Sequence, residues 1–92
     1  MKDKATRKLE SLQNCLRGGE LRVSRRGVPH LVVKGERGTC SACWFGRGGF
    51  FRIFYPYPED RDKRQTWDAP HPSAAMRKIE EVIGKVERNE LY

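Results

Sequence analysis

Residues 39–57 read TCSACWFGRGGFFRIFYPY. Two runs rich in aromatic residues flank Gly46-Arg47-Gly48-Gly49, the pattern of strand, turn and strand. If Gly46–Gly49 closes a four-residue hairpin, Phe45 faces Phe50, Cys43 faces Arg52, and Ser41 faces Phe54. Side chains alternate along a strand. One face therefore carries Ser41, Cys43, Phe45, Phe50, Arg52 and Phe54, and the other carries Cys40, Ala42, Trp44, Phe51, Ile53 and Tyr55. The second set is apolar throughout and belongs to the core. The first mixes rings with a guanidinium, the composition of a platform on which unpaired bases stack. Two arrangements stay open at this point. A helix on each face buries both sets; a bare face leaves the platform exposed.

Outward from this hairpin the period of two continues. His30 to Lys34 reads as the preceding strand, joined to residue 39 by Gly35-Glu36-Arg37-Gly38. Before it, Glu20 to Arg25 alternates apolar Leu21 and Val23 with Arg22 and Ser24, until Gly27-Val28-Pro29 breaks the run. On the other side Pro56 and Pro58 end the strand, since neither can donate to a ladder. Glu59 to Arg64 is a charged loop, and Gln65 to Asp68 reads as a short fifth strand.

Helical periodicity brackets the strands. Asp3 caps a helix over Lys4 to Leu16 that places Ala5, Leu9, Leu12 and Leu16 on one stripe, and Gly18-Gly19 stops it. A second helix is predicted over residues 73–88, with Ala75, Met76, Ile79, Val82, Ile83 and Val86 on one face. Within it Glu81 and Lys85 make a favourable pair four residues apart, and Gly84 marks a close approach to the sheet. The fold class is α+β in a single small domain. It has an N-terminal helix, an antiparallel sheet of four or five strands, and a C-terminal amphipathic helix packed on the sheet.

The chain has 92 residues, too few for two domains and an interdomain cleft. Charged residues make up 34% against about 25% in an average protein, and the net charge is +7. The charge is uneven. Residues 1–58 hold twelve Lys and Arg against four Asp and Glu, whereas residues 59–92 hold seven against eight. Twelve of the nineteen cations are arginine, the better planar partner for phosphate, carboxylate and aromatic faces. A basic first half points to a polyanion. Arg22, Arg25, Arg26, Lys34 and Arg47 are the candidate phosphate contacts. Lys2, Lys4, Arg7 and Lys8 of the first helix would extend them into a continuous stripe.

No apolar run is long enough for a transmembrane helix or a signal-peptide core. The three cysteines, Cys15, Cys40 and Cys43, are an odd count that argues against a disulfide framework and for a cytoplasmic protein. Cys40-Ser41-Ala42-Cys43 has the spacing of half a zinc site, with Cys15, His30 and His71 the available further ligands. Strand residues three apart point to opposite faces, however, so no metal is expected. His30 and His71 read as a polar strand residue and a residue at a helix start. No nucleophile elbow, phosphate loop, dinucleotide fingerprint or carboxylate pair is present. The reading is a binder without a cofactor, more than an enzyme.

Arg47-Gly48-Gly49-Phe50-Phe51-Arg52-Ile53-Phe54 partly resembles the RNP1 motif of RNA-recognition and cold-shock domains. It matches in the basic residue, the following glycine and the aromatics at the fifth and eighth positions, and departs at the third, fourth and sixth. The resemblance spans eight residues and implies base stacking on Phe50 and Phe54. Residues 49–55, with the following strand and helix, are loosely similar to the end of RelE-like ribonuclease toxins. Those toxins begin with a strand and two helices, whereas this chain offers one helix there.

Three readings follow. The leading one is a nucleic-acid-binding protein, single strands favoured, with Arg22, Arg25, Arg26, Lys34 and Arg47 on phosphates and Phe45, Phe50, Arg52 and Phe54 receiving bases. The second is a protein-interaction module, such as a small phage or mobile-element inhibitor of a host protein, because Arg-rich aromatic patches are also interface hot spots. The third is the ribonuclease. An exposed strand edge would also allow two copies to pair as a homodimer.

Overall fold

The computed structural model describes residues 3–56, 59–60 and 62–88. The order of elements is α1 (Lys4–Leu16), β1 (Glu20–Val23), β2 (Pro29–Gly35), β3 (Gly38–Phe45), β4 (Phe50–Pro56), β5 (Arg64–Ala69) and α2 (Pro72–Ile83). The strands form one antiparallel meander in the order β1-β2-β3-β4-β5, each beside its neighbour in sequence. For β1 to β4 that is the topology short turns impose, since two-to-five-residue loops connect only adjacent antiparallel strands. The predicted register of the central hairpin is the observed one: Phe45 opposite Phe50, Cys43 opposite Arg52, Ser41 opposite Phe54.

Both helices pack on the same side of this sheet and touch each other. Leu9, Leu12 and Leu16 of α1 and Ala75, Ile79 and Ile83 of α2 meet Leu31, Val33, Cys40, Ala42, Phe51, Ile53 and Ala69 of the sheet in one buried cluster. Phe51, near the start of β4, is the largest fully buried side chain among the described residues. Its ring meets Trp44 edge-on, with centroids 4.9 Å apart. Asp3 caps α1 by accepting a 2.8 Å hydrogen bond from the Thr6 amide, which replaces one of the unpaired donors of the first turn. That bond also holds the Asp3 carboxyl below its ordinary range.

At the β4–β5 edge, Trp67 is half exposed on the helix side. The Lys78 ammonium from α2 lies 4.4 Å from the Trp67 ring centroid and 5.1 Å from that of Tyr55. Only 14% of this lysine's side chain is exposed, its stem covering apolar surface.

The structure corrects the second helix. It ends at Ile83, not at residue 88, because Gly84 takes φ +77° and ψ −152°, a conformation open to glycine and strained for other residues. From Gly84 the chain turns back onto the β2–β3 hairpin. Val86 bridges Gly35, the Glu36 amide donates to the Lys85 carbonyl, and the Arg37 amide donates to the Ile83 carbonyl. The Glu87 amide donates in turn to the Lys34 carbonyl. β1 pairs only as far as Val32, so this segment occupies the stretch of β2 edge that β1 leaves uncovered. Lys85 is thus outside the helix, and the pairing with Glu81 gives way to Lys78–Glu81 at 3.8 Å. β1 also stops at Val23, two residues short of the predicted end, because Ser24 closes the following turn. Its amide donates to the Val28 carbonyl, and its hydroxyl accepts from the Val28 amide.

Candidate nucleic-acid interface

With both helices on one side, the opposite sheet face carries no other element among the described residues. Alternation and register assign it from β1 to β5: Glu20 and Arg22; His30, Val32 and Lys34; Thr39, Ser41, Cys43 and Phe45; Phe50, Arg52, Phe54 and Pro56; Arg64, Thr66 and Asp68. Of the two arrangements left open by the sequence, the bare face is the one found.

The site is built around a cross-strand pair. Phe45 and Phe50 stack with ring centroids 5.5 Å apart and planes 15° from parallel. The Phe50 ring lies against the backbone of Gly48, where a Cβ would overlap ring atoms. That contact explains the second glycine of the turn in steric terms. The Arg52 guanidinium carbon sits 4.8 Å from the Phe45 centroid and 5.3 Å from the Phe50 centroid, so one cation covers both rings.

Arg52 is fixed from the other side by Asp68 on β5, its cross-strand neighbour. Nε donates to Oδ1 at 2.8 Å and Nη2 donates to Oδ2 at 3.1 Å. This two-point geometry is the most directional that a carboxylate and a guanidinium adopt. It lowers the Asp68 carboxyl below its ordinary range and raises the guanidinium further, both chiefly through these hydrogen bonds. Asp68 was not among the residues singled out from sequence. Its signal was the register of a short edge strand, which needs the exact start of β5 after a loop of unfixed length. Phe54 lies on the same face, one pair further along, opposite Ser41 and Thr66.

The predicted cations divide into three groups. Arg25 and Arg26 lie exposed in the β1–β2 turn and Arg47 exposed in the β3–β4 turn. Antiparallel strand order puts these two turns at the same end of the sheet, the end at which Phe45 and Phe50 lie. Arg22 is on the bare face but pairs with Glu20 at 2.9 Å, and this hydrogen bond lowers the Glu20 carboxyl. Lys34 is exposed toward the opposite end, where it adds a smaller Coulombic pull on Glu20. The continuous stripe through α1 is not formed. Lys4, Arg7 and Lys8 belong to the helix layer, on the far side of the sheet, and the Lys8 ammonium lies 5.0 Å from the Trp44 ring. Lys2 falls outside the described residues.

Cys40 is buried in the core and Cys43 is half buried on the bare face, so the two thiols diverge as strand geometry requires. Burial pushes the Cys40 thiol up to about 12 and raises that of Cys43 as well. His30 stands opposite Arg22 on the bare face. His71 is the N-cap residue of α2, its Nδ1 2.9 Å from the Ser73 hydroxyl. No helix among the described residues is long and apolar enough to cross a membrane. No protein-family model matches the chain, and no curated protein or solved structure matches it either.

Proposed function

We propose that this is a cytoplasmic nucleic-acid-binding protein that takes single strands on the bare face of its sheet. The observation that carries this reading is the stacked Phe45–Phe50 pair lying under Arg52 on a face with no helix over it. Phe45 keeps 38% of its surface exposed; exposed ring surface stacks with any base, and each such contact contributes about 1–3 kcal/mol. Arg25, Arg26 and Arg47 at the same end supply phosphate contacts, which give affinity without sequence choice. Duplex DNA fits less well, because its bases are already stacked and leave the rings no faces to meet.

The test is fluorescence anisotropy with labelled single-stranded and duplex oligonucleotides, from about 50 to about 200 mM salt, a range over which phosphate contacts weaken steeply. The expected result is preferential single-strand binding that falls with salt. Phe45→Ala and Phe50→Ala should each weaken it by about 1–3 kcal/mol. Binding unchanged by both ring deletions would reduce the site to a phosphate surface. Absence of binding at the lower salt would overturn the reading and favour a protein partner for the same patch.

A further inference from the structure

We propose that Arg52, held by Asp68 across the Phe45–Phe50 pair, is a donor fork that selects guanine within a bound single strand. The proposal rests on the single-strand reading above and names the base that the site prefers. Its ground is the hydrogen-bond inventory of one side chain. A guanidinium has five N–H donors. Asp68 takes Nε–H and one N–H of Nη2. The edge formed by Nη1 and the remaining Nη2 hydrogen points away from Asp68 and meets no acceptor among the described residues. The Arg52 side chain keeps 35% of its surface exposed, so that edge is reachable.

Two features decide what such an edge accepts. First, Asp68 already balances the Arg52 charge. A phosphate placed there would bring a second anion beside the carboxylate, an unfavourable like-charge contact, whereas a neutral base edge brings none. Second, a fork with two parallel donors needs two adjacent acceptors. Guanine presents N7 and O6 side by side, while adenine sets a donor beside N7 and thymine sets a methyl group beside O4. Cytosine has adjacent acceptors at N3 and O2, but as a single ring it offers less stacking surface than the two rings of guanine. Asp68 acts here as a positioning residue: the rings hold the guanidinium from below and the carboxylate fixes its rotation.

The experiment is anisotropy with short oligothymidylates carrying one central guanine, adenine, cytosine or 7-deazaguanine, at a single salt concentration. The guanine oligonucleotide should bind about tenfold tighter than the other three, within the range a bidentate Arg–guanine pair contributes. Loss of preference on 7-deazaguanine needs no altered protein and isolates N7 itself. Arg52→Lys keeps the charge but not the planar fork, so it should bring all four oligonucleotides to within about twofold of each other. Asp68→Asn, which frees the guanidinium to rotate, should also erase the preference while leaving affinity for the adenine oligonucleotide equal or higher. Equal binding of all four by the unaltered protein, or tightest binding of cytosine, would overturn the guanine fork and leave single-strand binding standing. Failure to bind any of them would instead remove the single-strand reading itself.

Discussion

Arg52 is where sequence and structure diverge most at the scale of one residue. Read along the chain, it is the cation of an aromatic face with no partner named; in the folded molecule its charge is matched by Asp68 and its guanidinium lies over two rings. Because the Asp68 carboxyl is lowered in the folded state, the pair is intact above the ordinary carboxylate range. Its contribution disappears only as pH falls through the depressed folded value. Ring-current shifts of the Arg52 side-chain protons should therefore stay constant from neutral pH down past the unperturbed carboxylate value of about 4, then collapse at lower pH. Collapse near pH 6 would mean that Asp68 does not hold the guanidinium. The Cys40 thiol behaves in the opposite sense. With its folded value pushed up to about 12, it stays protonated at neutral pH, and stability is lost as pH rises from the unfolded thiol range toward that value. Iodoacetamide at pH 8 should label exposed Cys15 and spare Cys40 until denaturant is added, as peptide mapping would show.

Among the elements, strands β2 to β5 and α1 were legible because each carries a clean period and is bounded by glycine, proline or a capping residue, although the left-handed residue that closes α1 is Arg17 and not the glycine pair after it. The end of α2 was not. Val86 continues the apolar spacing of Ile79 and Ile83, so periodicity alone extends the helix, yet Val86 is buried by the return of the chain onto β2. Only the backbone angles at Gly84 separate these two ways of burying one side chain. Gly84→Ala should lower stability by about 1–3 kcal/mol in urea unfolding, the usual strain of a side chain at such angles. It should also release amide protection at Glu36, Arg37 and Glu87. At the other hairpin, Gly48→Ala should push the Phe50 ring off its partner. Single-strand affinity would then fall toward that of Phe50→Ala while the unfolding free energy changes by no more than about 0.5 kcal/mol, as expected for a surface position.

At the scale of the whole molecule, the placement of both helices was the undetermined choice, because an amphipathic helix specifies that it must dock and not which face of a sheet receives it. The core-facing set Cys40, Ala42, Phe51 and Ile53 was readable; that the alternate set would be bare was not. The same choice sorts the cations, sending Lys4 and Arg7 to one side while Arg25, Arg26 and Arg47 lie in turns at the end of the sheet that carries the rings. Reversing the latter three to glutamate should flatten the salt dependence of single-strand binding by about 0.7 for each phosphate the protein no longer neutralises. Reversing Lys4 and Arg7 should leave the slope unchanged. Phe51→Ala, by contrast, removes the central core side chain and should cost about 3–5 kcal/mol. That is a large share of the roughly 5–14 kcal/mol expected for a chain of this length.

The division of labour between the two sheet faces has a practical corollary. Ser41, Cys43, Phe54 and Thr66 project from the bare face, while the buried cluster is drawn from the helices, the returning segment at Val86 and the other face. The platform can therefore be rewritten, residue by residue, with each change costing no more than the ~1 kcal/mol spread of strand propensities. A selection that randomises those four positions would be searching binding chemistry alone, on a chassis whose fold is secured from behind.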